Sequence, residues 1–175
     1  AVKKEISTEI KKETPPEIKK QATPQKTETL KEPTRATQPE RKPWIKENYG
    51  EKSEMINFLR QTNGQGNLVE AVGDSYTKLN TVSVFAGIPT IQGWRVHEWL
   101  WRGGYSKVAE RESQVREIYE GKEMGKSEHL LEKYQIKWIL VGDDERKGYS
   151  VNHEKIKILG KIVWEKGESY IVEVR

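Results

Sequence analysis

The chain has 175 residues, with 31 Lys and Arg against 27 Asp and Glu, a net charge of +4 and a pI near 9.1. That length suits one domain of ordinary size. Without cysteine there is no disulfide framework, thiolate metal site or Cys nucleophile, and no apolar run reaches the ~18 residues a membrane helix needs.

Residues 1–43 are a different material from the rest. They hold six of the seven prolines, no glycine and no aromatic residue, and their eleven Lys and Arg against seven Glu carry the whole net charge. Only eight of them are Ala, Val, Ile or Leu, too few to offset the entropy of ordering. The prolines interrupt any helix, so this stretch reads as a disordered spacer. It begins with Ala and shows no export signal, as a fragment or processed product would.

From Trp44 the composition becomes that of a globular domain with twenty charges of each sign. The spacing predicts a short helix capped by Ser53 and running to Arg60, with Met55, Ile56 and Leu59 inward. Residues 67–72 (NLVEAV) and 82–86 (VSVFA) read as strands. A helix follows over 106–120, with Val108, Val115, Ile118 and Tyr119 on its inner face. Ser127 is expected to cap another, with Leu130, Leu131 and Tyr134 inward. Residues 136–141 (IKWILV) read as a buried strand ending at Gly142. Residues 156–164 and 168–174 read as a hairpin across Lys166 and Gly167. Interspersed helices and strands predict an α/β or α+β domain over 44–175, with one mixed sheet, flanking helices and a C-terminal β-hairpin.

The densest chemistry lies in residues 93–104, GWRVHEWLWRGG, which holds three of the six tryptophans. A helix there puts Trp94, His97 and Trp101 on one face and Glu98 four residues before Arg102. Aromatic stripes at helical spacing are usually core. The alternative is a ledge facing a ligand, with indoles stacking on sugar rings or aliphatic chains while His, Glu and Arg supply hydrogen bonds. Sharper motifs fail. His97 and Glu98 begin a zinc-protease signature, but position 101 is Trp. Ser75 is not in a nucleophile elbow, which removes a Ser75/His97/Asp74 triad. The acidic run Asp143, Asp144, Glu145 after a buried strand suits either Mg²⁺ on a phosphate or, more commonly, the cap of the next helix.

The string EAVGDSYTKLNTVSVFAGIPTIQGWRVHEWLWRGG (70–104), with RESQVREIY and LLEKYQIKWILVGDDERKGY further on, resembles the C-terminal region of the YYY-domain family. The likeness covers about residues 54–175 and is most specific at G-W-x-x-H-E-x-x-W-R-G. These are polytopic membrane proteins, largely uncharacterised, whose membrane portions are grouped with the GT-C type lipid-linked glycosyltransferases. The resemblance implies a soluble extracytoplasmic domain of a membrane-localised parent. GT-C enzymes carry their catalytic carboxylate in the membrane portion, so it also implies a domain that helps bind donor or acceptor without being catalytic alone. Asp74, Tyr76, Trp94, His97, Glu98, Trp101, Arg102 and Arg111 are then the candidate ligand-binding residues. The partners are the parent's membrane portion and a polyprenyl-phosphate sugar or glycan. No cofactor is expected in this segment, although a divalent metal would suit the parent. The alternatives are a stand-alone carbohydrate- or protein-binding module and a purely structural docking domain.

A specific nucleic-acid partner is not expected, because the folded part is neutral and few phosphates can be neutralised at once. Binding to double-stranded DNA should be weak and vanish by about 0.2 M salt, which a salt-titrated filter-binding assay would measure. Tight, sequence-dependent binding at that salt would contradict this reading.

Overall fold

The computed structural model describes residues 42–62 and 65–175. The expected disorder of residues 1–41 lies outside them. The first described element, helix α1 (Lys42–Tyr49), begins inside the stretch read as spacer. Pro43 falls in its first turn, where no backbone N–H is needed.

The chain continues through α2 (Glu51–Gln61), β1 (Asn67–Val69), α3 (Thr81–Ala86), α4 (Arg95–Arg102), α5 (Ser106–Glu120) and α6 (Met124–Lys133). It ends with β2 (Ile136–Val141), α7 (Asp143–Gly148), α8 (His153–Ile158), β3 (Gly160–Lys166) and β4 (Ser169–Val174). The fold is mixed α/β. Its sheet has the order β1-β2-β4-β3, with β1 parallel to β2, β2 antiparallel to β4, and β3-β4 the C-terminal hairpin. Alternation along the strands sends Leu68, Trp138, Leu140 and Ile171 to one face, against Ile45, Met55, Ile56, Leu59 and Val82 of α1–α3. Val69, Ile139, Val141, Tyr170 and Val172 face the other way, onto Val115, Ile118 and Tyr119 of α5, Leu130 and Leu131 of α6 and Ile156 of α8.

Three readings of the sequence change. Residues 82–86 form a helix rather than a strand. A strand would set Val82 and Val84 on one face, but Val82 is buried and Val84 is 72% exposed. One tertiary contact and one flanking residue favour the turn: the Glu70 carboxylate accepts from Ser83 N at 3.2 Å, and Gly87, at φ 73°, closes the helix in the left-handed region. The first strand stops at Val69, and Glu70 turns into the interior instead of continuing it. Ile156 and its neighbours finish α8 before the hairpin starts at Gly160.

Neither serine read as a cap is one. Ser53 lies buried inside α2 and donates to Gly50 O, while Gly50 is the N-cap residue. Ser127 lies buried inside α6 and accepts from the Lys155 ammonium, which also reaches Glu117 O near the end of α5. Burial lowers the Lys155 pKa.

One side chain ties the parallel pair to its cover. The buried Tyr119 hydroxyl lies 3.0 Å from Val69 O and 2.8 Å from Leu140 O, reaching β1 and β2 from α5. Its single proton is shared between the two carbonyls. Tyr119→Phe should destabilise the domain by about 1–2 kcal/mol with little change in denaturant slope, read from urea unfolding. A change within about 0.3 kcal/mol would show that these carbonyls are satisfied without it.

Candidate functional site

The aromatic face is built by the loop after β1 and by α4. Trp94 is the residue before α4, and its indole N–H donates to Leu79 O at 3.1 Å. Gly103, at φ 68°, ends the helix in the left-handed region. Trp94 and His97 stack with centroids 5.4 Å apart, and His97 and Trp101 follow at 5.7 Å. Tyr76 leans on both Trp94 (5.5 Å) and His97 (5.4 Å). The residue spacing had put Trp94, His97 and Trp101 together; Tyr76 joins them from the loop. Tyr76 is 85% exposed and held at φ 64°, a strained conformation for a bulky side chain, of the kind that clusters at functional sites.

None of the eight residues of α4 is buried, so the stripe is not core. Trp101 is 80% exposed and Leu100 67%, with Val96, Trp99 and Tyr105 also open to solvent. A groove of about 450 Å³ runs beside the ladder, lined by Ser83, Val84, Thr90, Trp94, His97 and Trp101 among others. Its wall is almost wholly apolar, which suits an aliphatic chain or the face of a sugar ring.

The charged candidates are engaged locally. Arg102 pairs with Glu98 one turn earlier, while Asp74 pairs with Arg95 at 2.5 Å, and Arg95 also meets Glu112. Arg111 faces other groups: it donates to Ile91 O at 3.0 Å and lies over the Tyr134 ring. Ser75, His97 and Asp74 form no relay, since His97 stacks on aromatic rings and Asp74 pairs with Arg95.

A second cluster was only partly visible in the sequence. The parallel strands β1 and β2 both point their carboxyl ends at a cleft of about 320 Å³, where open α/β sheets commonly bind ligands. Glu145, the last of the acidic run, accepts from Ala71 N at 2.7 Å and Gly142 N at 2.8 Å. It therefore caps α7, as the commoner reading of that run expects. Burial raises its pKa, opposed by those two N–H groups. Among the described residues no group of three His, Asp or Glu is suited to hold a metal.

Glu70 is 4% exposed, and its pKa is pushed up to about 7, first by burial and further by the nearby Glu145, with Ser83 and Lys52 opposing. Reading 67–72 as a strand hid it. Asn80, also buried and held at φ 59°, donates its amide to Gln92 O (3.0 Å) and Ala71 O (3.5 Å), and among the described residues its side-chain oxygen has no partner.

Comparison with protein-family models, curated proteins and solved structures finds no match to this chain.

The raised Glu70 pKa fixes the sign of a pH effect. The native carboxyl keeps its proton up to about pH 7, whereas an unfolded one loses it near the ordinary glutamate value of 4.5. Native protein therefore binds more protons in that interval, and stability falls as pH rises through it. Glu70→Gln should remove this loss, on the order of 3 kcal/mol, and gain stability over the parent as pH approaches 8. Urea unfolding of both proteins at several pH values would check this; parallel stability curves would place the Glu70 carboxyl in contact with water.

Proposed function

We propose that residues 44–175 are the extracytoplasmic C-terminal domain of a polytopic membrane protein of the GT-C glycosyltransferase-like type. In this reading the aromatic face of α4 meets the bilayer surface and helps hold a lipid-linked sugar, and the domain is not catalytic alone. The observation that carries it is a helix of eight residues, none buried, that exposes Trp99, Leu100 and Trp101 to solvent. A water-soluble domain has little reason to leave such a patch uncovered. Tryptophan and tyrosine favour the boundary between headgroups and acyl chains, where one edge is apolar and the other wet. The groove beside Trp94 and His97, about 450 Å³ with an apolar wall, suits the first units of a polyprenyl chain or the flat face of its sugar. Among the described residues no helix is long and apolar enough to cross a membrane, so the reading assigns the crossing to the parent's membrane portion.

Flotation with phosphatidylcholine vesicles, with and without a polyprenyl-phosphate sugar, tests this on the chain itself. Binding should be strengthened by the glycolipid. The double change Leu100→Ala with Trp101→Ala should weaken it at least about tenfold, with the thermal midpoint nearly unchanged because both side chains are already exposed. Failure to float with either vesicle would defeat the reading. Binding to soluble oligosaccharides without any lipid preference would favour a stand-alone carbohydrate module instead.

A further inference from the structure

The cleft at the carboxyl ends of β1 and β2 shares only Asn80 with the aromatic groove, and it has the opposite character. Its lining holds five carboxyl groups against three lysines. Two of those lysines are already engaged: Lys52 pairs with Asp144 and donates to Lys78 O, and Lys78 donates to Asn48 O and lies over the Tyr49 ring. The third, Lys147, is exposed on α7, so the lining keeps more acceptors than donors. Among the described residues only Ser83 bonds to Glu70, through its backbone N–H to Oε1 and through its side chain, so the carboxyl keeps acceptor capacity to spare. The Asn80 amide nitrogen is fixed by two carbonyl oxygens, those of Ala71 and Gln92, so its orientation cannot be reversed without setting oxygen against oxygen. Its Oδ1 is therefore left buried without a donor among the described residues, an expensive state that a bound group would relieve.

We infer that this cleft receives a primary ammonium group, which donates to the Glu70 carboxylate and the Asn80 side-chain oxygen. An ammonium brings three donors and one positive charge to a site with spare acceptors and excess negative charge. A hydroxyl brings a single donor and no charge, and a phosphate would face five carboxyl groups. The class of ligand is a small amine, an amino sugar or an amine-bearing headgroup; their common feature is the ammonium.

The groups facing Glu70 set the pH behaviour. They are Tyr49 from α1, Glu51 and Lys52 from α2, Lys78 from the loop, Asp143, Asp144, Glu145 and Lys147 from α7, and Tyr119 from α5. With Glu70 half-protonated near pH 7, an ammonium must displace its proton. Affinity therefore rises with pH, by about thirtyfold between pH 5.5 and 8 as the ionised fraction grows.

The test uses the 175-residue chain with two probes of equal size, ethanolamine and ethylene glycol, followed by amide chemical shifts. Ethanolamine should move the Ala71, Asn80 and Gly142 amides, with affinity rising across that pH interval, while ethylene glycol has no effect. Glu70→Gln should abolish both the binding and its pH dependence. If that variant does not fold, calorimetry of the unsubstituted chain in two buffers of different ionisation enthalpy decides: with the Glu70 pKa at about 7, ethanolamine binding near pH 6.5 should release about three-quarters of a proton. Equal response to both probes, binding that does not change with pH, no proton release, or no shifts at about 50 mM ethanolamine would each overturn the inference. Vesicle flotation is a separate measurement, so either proposal can fail alone.

Discussion

The fold depends on how two parallel strands are held where they end. The ladder between β1 and β2 ends at Val69 and Ile139, and β2 itself ends at Val141; beyond these ends the backbone N–H groups of Ala71 and Gly142 need acceptors inside the protein. One carboxylate, Glu145, takes both. This sets the N-terminus of α7 against the loop leaving β1 and fixes the path of both. Burying a carboxylate is costly, and it persists because two N–H groups face it. Tyr119 does the complementary work on the carbonyl side, its hydroxyl lying between Val69 O and Leu140 O.

Once that end is fixed, the loop to α3 has little freedom. Glu70 turns inward to the N-terminal N–H of Ser83, and a side chain at Gly73 would meet Leu79 at 1.9 Å. Asn80 takes a left-handed conformation that asparagine adopts readily, and Tyr76 takes one that bulky side chains avoid. Such strain is tolerated because the surrounding contacts over-determine the loop. Its outcome is the outward display of Tyr76 beside Trp94, and a carbonyl at Leu79 that holds the Trp94 indole. The aromatic face is thus a by-product of the buried carboxyls at the sheet end, while α4 itself contributes nothing fully buried.

Elements with a strong local period were legible in the sequence. Helix α5 has the limits and inner face that its spacing predicts, and so does β2, whose apolar run is bounded by Gly142. The hairpin was legible from the alternation of Tyr170, Val172 and Val174 about Gly167. Short segments were not. Residues 82–86 carry β-branched side chains, and only the Glu70 carboxylate and Gly87, one distant and one flanking, turn them into a helix. Glu70 was missed for the same reason: inside NLVEAV it reads as the polar member of an alternating strand. A carboxyl that is buried by long-range packing leaves no local mark. Ser53 and Ser127 failed as caps because a serine near a helix start has two uses, and here packing selected the buried one. The grouping of Trp94, His97 and Trp101 needed only helical spacing, so it survived; the distance of Arg111 from that face depended on how α5 packs.

Asn80 is the hinge between the two candidate surfaces. It lines both the carboxyl cleft and the aromatic groove, and its amide bonds one carbonyl on the strand side, Ala71, and one on the α4 side, Gln92. Its backbone carbonyl accepts from Ser83, the residue that holds Glu70. A group bound at the Asn80 oxygen therefore fixes the same amide that spaces the two walls, and a group wedged beside Trp94 and Ser83 bears on the same turn from the other side. Whatever free energy couples the two surfaces acts equally in both directions. A ligand in the cleft that tightens the hold of the aromatic groove on a second ligand must itself be held more tightly when that second ligand is present. Loss of the Asn80 side chain would uncouple the two without removing the carboxyl of one or the rings of the other.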